Sequence, residues 1–129
     1  MQSITIENDN ELYLKWVDDE IGWGVFTKNK IQTGQPIEYC YYYPICTKLP
    51  EYDIFVFNVN KQKCFLFGYG CIYNHSYNPN GEWKLLDIEK HIIGLFAIKD
   101  IEPHEQIFHN YGTYYWKHKS RIGMQKNLI

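Results

Sequence analysis

Apolar side chains in this chain recur mostly at every second position, which is the spacing of a strand with one face in a core. Segments 11–17 and 37–43 alternate in this way or are rich in residues that favour strands, and 91–99 is an apolar run with one glycine. Turn residues separate such segments at short intervals, as at 33–34 and 102–103. The pattern predicts a mainly β domain with short strands and short connections.

Helix signals are weak, and only two short segments invite a helix. They are 48–53 in the middle of the chain and 113–121 near its end. The sequence shows no internal repeat, linker or low-complexity run. Its 129 residues, 45% of them hydrophobic, suffice for one modest core. We therefore expect one domain over residues 1–129 with little helix.

Charge and hydropathy argue against several classes of protein. The formal net charge of -2 at pH 7 does not suit a surface that neutralises nucleic-acid phosphates, although a basic peptide would not be repelled. No apolar run approaches the roughly 20 residues of a membrane span, and the polar opening lacks the regions of a secretion signal. A soluble intracellular protein without direct contacts to nucleic acid or membrane is the expectation.

The cysteines lie in apolar or aromatic stretches and form no Cys-x-x-Cys pair. They are Cys40, Cys46, Cys64 and Cys71. Zinc sites use closely spaced ligand pairs, and the histidines of this chain are scattered. We expect small buried hydrophobic side chains and no structural metal.

Three short motifs stand out against this β-rich background. They are Gly22-Trp23-Gly24, the polar segment 74–80 (Asn-His-Ser-Tyr-Asn-Pro-Asn) and Asn110-Tyr111-Gly112. Taken singly, they are most simply a tight hairpin, a set of hydrogen bonds that joins loops, and a packed tyrosine. Each also suits a ligand site, because glycines allow close backbone approach and buried polar side chains need partners. No nucleophilic triad is placed by these residues.

Together the motifs resemble those of the SET-domain protein lysine methyltransferases, over residues from about 11 to 116. Segment 22–26 resembles the Gly-x-Gly opening of that family, and 33–39 resembles its Gly-x-x-Ile-x-x-Tyr strand. Asn74-His75-Ser76 with Pro79-Asn80 is the strongest likeness, and 94–107 followed by Tyr111-Gly112 completes it. The chain also resembles the minimal SET proteins of large algal viruses, which share the pattern of 67–76 and the Tyr-Gly-x-x-Tyr-Trp ending of 111–116.

The resemblance implies a fold and a set of site residues. The fold is a SET domain of several small β-sheets, in which the C-terminal segment threads a loop like a pseudoknot and meets the Asn-His-Ser segment. The implied cofactor is S-adenosylmethionine, and a substrate lysine enters a narrow channel from the opposite face. The implied cofactor-binding residues are Gly22, Trp23, Gly24, Asn74, His75, Tyr111 and Trp116. Tyr111 and Tyr39 are the implied catalytic residues, and Tyr39, His109 and Tyr111 are the implied channel residues.

The implied chemistry needs no strong base. Methyl transfer from a sulfonium to a neutral amine moves a positive charge rather than creating one, so the site must align the two groups and admit the lysine deprotonated. An aromatic channel does this, because burial disfavours the ammonium form and aromatic rings accompany the developing cation. We assign Tyr111 an orienting and electrostatic role and leave deprotonation to solvent.

Three residues depart from the family pattern. They are His104, where glycine is usual, Asn110, where aspartate is common, and His109, where many members carry the Phe or Tyr that helps to set the number of methyl groups. The substrate protein, its target lysine and the product state are therefore left open. The leading hypothesis is methylation of a protein lysine, with a histone tail inherited from the viral resemblance. A non-catalytic SET-like peptide-binding module and methylation of a small molecule or a histidine are the alternatives. The many aromatic residues and the viral relatives also predict a homodimer, and the viral likeness predicts action in a host nucleus.

Overall fold

The structure is a computed structural model and describes residues 10–45 and 56–110. Within these ranges all regular secondary structure is β-strand, so the prediction of a mainly β fold is confirmed. The strands are β1 (Leu12–Asp18), β2 (Gly22–Thr27), β3 (Pro36–Pro44), β4 (Phe57–Val59), β5 (Gln62–Leu66), β6 (Asn74–His75), β7 (Gly81–Asp87), β8 (Ile92–Ala97) and β9 (Phe108–His109). The predicted helices at 48–53 and 113–121 lie outside the described residues. No membrane-spanning helix is present in the part of the chain that the structure describes.

The strands form three small sheets. β1 and β2 make an antiparallel hairpin, and β6 and β9 make a short parallel pair. The largest sheet has the order β4-β5-β3-β8-β7, and its neighbouring strands are all antiparallel. The strands predicted at 11–17, 37–43 and 91–99 correspond to β1, β3 and β8, and their ends differ by only one or two residues.

The core consists of two clusters of buried apolar side chains. One contains Val25, Ile31, Ile37, Tyr73, Leu95, Ala97, Ile101 and Ile107, and the other contains Cys40, Tyr42, Val59, Cys64, Leu66 and Ile93. Trp83 on β7 packs against both clusters and so joins them. Cys40 and Cys64 are buried free thiols, as predicted, Cys71 is half-buried, and Cys46 lies outside the described residues. In ranges 10–45 and 56–110, no three His, Cys, Asp or Glu side chains are grouped as a metal site requires.

The β1–β2 and β7–β8 hairpins have the same construction. Each contains one bulge, between Trp16 and Asp18 in the first and between Leu85 and Asp87 in the second. The aspartate of each bulge accepts two backbone N–H groups in the turn that follows. The segments after the turns, 24–37 and 94–107, align one to one, with glycine, phenylalanine and isoleucine in shared places. The chain therefore contains two copies of one structural unit, and the expectation of no internal repeat was wrong.

The two copies are joined by reciprocal backbone hydrogen bonds. Ile31 and Ile101, which occupy the same place in the two units, exchange both of their backbone bonds, at 2.9 and 2.8 Å. The N–H of Gly34 donates to the carbonyl of Ala97 in the other unit, at 2.8 Å, and the N–H of His104 donates to the carbonyl of Thr27, at 2.6 Å. Because each turn closes on the strand of the other unit, segment 104–109 is held alongside β2.

Candidate functional site

The polar motif at 74–76 meets the segment that leads to Tyr111. In the parallel pair, Asn74 lies opposite Phe108 and His75 lies opposite His109, and the N–H of Ser76 donates to the His109 carbonyl at 2.9 Å. This agrees with the meeting of these segments that the resemblance implied. Tyr111 and Trp116, the other predicted site residues of this region, lie outside the described residues.

Asn80 holds segment 106–108 in place. Its side-chain Nδ2 donates to the backbone carbonyl of Gln106 at 2.9 Å, and its Oδ1 accepts from the N–H of Phe108 at 2.8 Å. The Asn80 amide thus makes the two backbone hydrogen bonds that a neighbouring strand would otherwise make. On the other side, the N–H of Ile107 donates to the Val25 carbonyl at 2.8 Å. The segment is therefore fixed from both sides, and the last asparagine of the polar motif has a structural function.

The side chain of Asn74 is buried, with 1% of its surface exposed. Its Nδ2 donates to the Trp23 carbonyl at 3.2 Å and to Oε1 of Gln106 at 2.8 Å. Because a backbone carbonyl can only accept, the nitrogen must face Trp23, which fixes the orientation of the amide. Oδ1 of Asn74 has no hydrogen-bond partner among residues 10–45 and 56–110. A buried polar atom in that state costs about 1–3 kcal/mol, so this oxygen is available to a donor from outside those ranges or from a ligand.

Glycine is favoured at positions 22 and 24 of the first motif for two different structural reasons. Gly22 has φ +83, in the left-handed region that L side chains rarely adopt. At Gly24, a Cβ would lie 2.6 Å from Oε1 of Gln106 and 3.0 Å from Cγ2 of Val17. The close approach predicted at this motif is therefore made, in the described residues, by Gln106. Trp23 between the glycines is 51% exposed and lies edge-on to Trp16, with ring centroids 5.4 Å apart.

His75 is an enclosed imidazole next to Asn74. It is 1% exposed, and its ring lies edge-on to the ring of Tyr77, with centroids 4.5 Å apart. Burial lowers the pKa of His75 below its usual value of 6.5, so the side chain is neutral at pH 7.

His109 lies in a box of aromatic rings. Its ring stacks on Phe57 at 5.4 Å, and the rings of Trp83 and Tyr73 meet it edge-on at 6.2 and 6.5 Å. Nε1 of Trp83 donates to Nδ1 of His109 at 3.2 Å. An indole can only donate, so Nδ1 is the acceptor and the neutral ring carries its proton on Nε2. His109 is therefore a buried imidazole enclosed by aromatic rings, and its role in a substrate channel stays a prediction.

Tyr39 lies elsewhere. It is half-buried on β3, opposite Gly94 of β8, and its ring meets Phe96 edge-on at 6.2 Å. A Cβ at Gly94 would touch Phe96, Leu86 and Tyr39, so these three share one face of the sheet. Trp83 and its bond to His109 are on the other face, because Trp83 pairs with Leu95. Within the described residues, Tyr39 and His109 therefore lie on opposite faces of the large sheet. The role of Tyr39 as a catalytic and channel residue stays a prediction.

A buried carboxyl group that the sequence analysis missed makes hydrogen bonds to the segment just before the 74–80 motif. Glu38 is 3% exposed; one of its oxygens accepts from the hydroxyl of Tyr73 at 2.6 Å and the other from the N–H of Tyr69 at 3.1 Å. A Cβ at Gly68, whose φ is +77, would collide with the same carboxyl group. Burial raises the pKa of Glu38 and outweighs these hydrogen bonds. The signal was present, since a glutamate interrupts an apolar strand pattern and a tyrosine immediately precedes Asn74.

Comparison with known proteins agrees with this geometry. The SET domain family matches residues 22–112, which include all three motifs. The chain therefore belongs to the SET domain family. A crystal structure of a candidate histone methyltransferase from Plasmodium falciparum is similar in fold, with a TM-score of 0.73 and 25% identity over 86% of this chain and 99% of that chain. A search of curated proteins gives no match. The resemblance is confirmed for the SET domain, and the closer likeness to viral proteins stays a prediction.

Proposed function

We propose that the protein transfers methyl groups from S-adenosylmethionine to lysine side chains of a protein, with histone tails as the first substrates to test. The observation that carries the proposal is the buried Oδ1 of Asn74, which has no partner among the described residues, on a side chain whose Nδ2 donates to the Trp23 carbonyl. Membership of the SET family and the similarity to a methyltransferase of that fold support the same function.

The residues present fit this cofactor. S-adenosylmethionine carries an ammonium group, an adenine amino group and ribose hydroxyls, and each can donate to a buried amide oxygen. The half-exposed ring of Trp23 offers an aromatic face to a sulfonium or to an adenine. Gly22, Trp23, Gly24, Asn74 and His75 would hold the cofactor, and the family resemblance adds Tyr111 and Trp116.

When bound, the cofactor supplies a methyl group on a sulfonium, and the chain supplies position and a water-poor surrounding. The rings of Phe57, Tyr73 and Trp83 enclose His109, so an amine bound beside this cluster would lose solvation and be favoured in its neutral, nucleophilic form. His75, whose pKa is lowered by burial, carries no formal charge at pH 7 that would repel a lysine. Tyr111 would orient the amine against the methyl group.

The test is transfer of labelled methyl from S-adenosylmethionine to core histones and to a cell lysate. The native chain is compared with Tyr111→Phe and with a matched control, Tyr43→Phe, which changes a tyrosine that is 54% exposed. We expect label on protein lysine for the native chain and the control, and a loss of roughly 100-fold or more in Tyr111→Phe, the range seen when one oriented catalytic group is removed. Cofactor binding without label on any protein would favour a binding module or a small-molecule substrate. Absence of cofactor binding would overturn the proposal.

We also propose that two copies of the chain associate. The exposed rings of Tyr41 and Phe67 lie close together, with centroids 5.7 Å apart, and such a patch is stabilised when it is covered. Light scattering on the purified chain should give twice the monomer mass, and a monomer at all concentrations would contradict this prediction.

A further inference from the structure

We propose that Gln106 is a positioning residue for the cofactor: its side chain holds the Asn74 amide so that Oδ1 of Asn74 faces the ammonium group of the bound cofactor. The inference rests on the proposed function. It assigns a task to a residue outside the three motifs, and it specifies which part of the cofactor that residue serves.

Backbone contacts alone fix the position of Gln106, without any contribution from its side chain. Its carbonyl accepts from Asn80, it forms an antiparallel bridge with Phe26, and the next residue, Ile107, donates to Val25. These bonds come from two directions, so the residue cannot slide along β2. Its side chain therefore leaves the backbone from a defined point.

Gly24 provides the space that this side chain occupies. A Cβ at that position would lie 2.6 Å from Oε1 of Gln106 and 3.0 Å from its Cδ. Contacts of this kind force one group to move, so any larger residue at position 24 would displace the Gln106 amide. The absence of a side chain at Gly24 thus leaves the Gln106 amide in its observed position, even before a ligand is considered.

Gln106 and Trp23 accept both of the hydrogen bonds that the side-chain nitrogen of Asn74 can donate. The two N–H groups of its amide have two acceptors, the Trp23 carbonyl at 3.2 Å and Oε1 of Gln106 at 2.8 Å. The amide is planar, so fixing the nitrogen also fixes the oxygen. Oδ1 remains as a buried acceptor without a partner among the described residues. An ammonium group is the donor that gains most from such an acceptor, because a charged donor makes the stronger hydrogen bond.

The test measures binding to the cofactor-free chain by calorimetry, with two probes. S-adenosylhomocysteine carries the ammonium group, whereas methylthioadenosine has the same adenosine and sulfur but no amino acid portion. Gln106→Met keeps the length of the side chain and removes the acceptor. We expect it to weaken S-adenosylhomocysteine about tenfold and to change methylthioadenosine by less than about twofold. Gln32→Met, at an exposed glutamine, is the matched control and should change neither.

Two further variants distinguish a specific effect of the Gln106 side chain from a general loss of structure. Gln106→Glu keeps an acceptor toward Asn74 and should bind S-adenosylhomocysteine within about threefold of the native chain. In an Asn74→Ala background, Gln106→Met should have no further effect, because it acts through Asn74. If Gln106→Met does not fold, the selective loss should still appear in Gln106→Ala, which removes the same acceptor.

The inference is overturned if Gln106→Met leaves both affinities unchanged, if it weakens both probes equally, or if Gln106→Glu loses as much as Gln106→Met. Failure of the native, folded chain to bind S-adenosylhomocysteine at all is a different result, since it removes the proposed function itself.

Discussion

Glu38 is a carboxyl group in a place where its ionised form is disfavoured. Burial raises its pKa from the ordinary value of 4.5, and the bonds from Tyr73 and Tyr69 offset only part of that effect. The folded state therefore binds this proton more tightly than the unfolded state does. By linkage, the free energy of unfolding falls as pH rises from 4.5 through the folded pKa, and it is level above that range.

The change Glu38→Gln should remove this component of the pH dependence. The native chain is expected to lose stability between pH 4.5 and the folded pKa of Glu38, while the variant lacks that part of the slope because an amide does not titrate. Urea unfolding from pH 4.5 to 8 measures the difference, with Glu82→Gln, an exposed residue on β7, as the control. An identical slope in the native chain and in Glu38→Gln would show that the carboxyl group is not the cause.

At the scale of elements, the turn after each hairpin unit needs a residue with positive φ. Gly34 supplies it in the first unit with φ +90, and His104 supplies it in the second with φ +68. A residue with a Cβ pays about 1–2 kcal/mol in this region. His104 gains a hydrogen bond in return, at 2.9 Å between its Nδ1 and the hydroxyl of Tyr13. Histidine in place of the usual glycine thus adds backbone strain at position 104, and the hydrogen bond to Tyr13 offsets part of it.

Replacing His104 by glycine separates these two effects. In a Tyr13→Phe background the hydrogen bond is already absent, so His104→Gly should raise the free energy of unfolding by about 1 kcal/mol. In the native background the gain should be smaller, because the bond to Tyr13 is lost at the same time. Thermal and urea unfolding of the four chains measure both values. Destabilisation by His104→Gly in the Tyr13→Phe background would contradict the account.

The elements that could be predicted are those whose pattern is local. β1, β3 and β8 follow from alternation and apolar content, and the three motifs follow from their residue types. β6 and β9 could not be predicted, since each has only two residues and exists because the other pairs with it. The bond between Asn74 and Gln106 joins residues far apart in the chain, and no local pattern shows it. For Tyr39, the irregular register between Pro36 and Glu38 changes which side chains face the core, so strand parity is an unsafe guide.

For the whole molecule, the hidden repeat shows how a small domain builds a site from distant segments. The two units share only a few residues, such as Gly24 with Gly94 and Ile31 with Ile101, so the repeat is clear only once the structure is known. Their backbones nevertheless use the same hairpin, bulge and turn, and each turn is completed by the strand of the other unit. The Asn-His-Ser segment lies between the units in sequence, and the reciprocal bonds bring segment 104–109 back to it.

The exchange of bonds between Ile31 and Ile101 also governs the order of events during synthesis. When the first unit leaves the ribosome, the backbone groups of Thr27, Ile31 and Gly34 have partners that are still to be translated. Contacts of such long sequence separation form late and slow folding. The nascent chain therefore exposes the unpaired edge of β2 until the second unit is complete, and this is the interval in which edge-to-edge aggregation is most favoured.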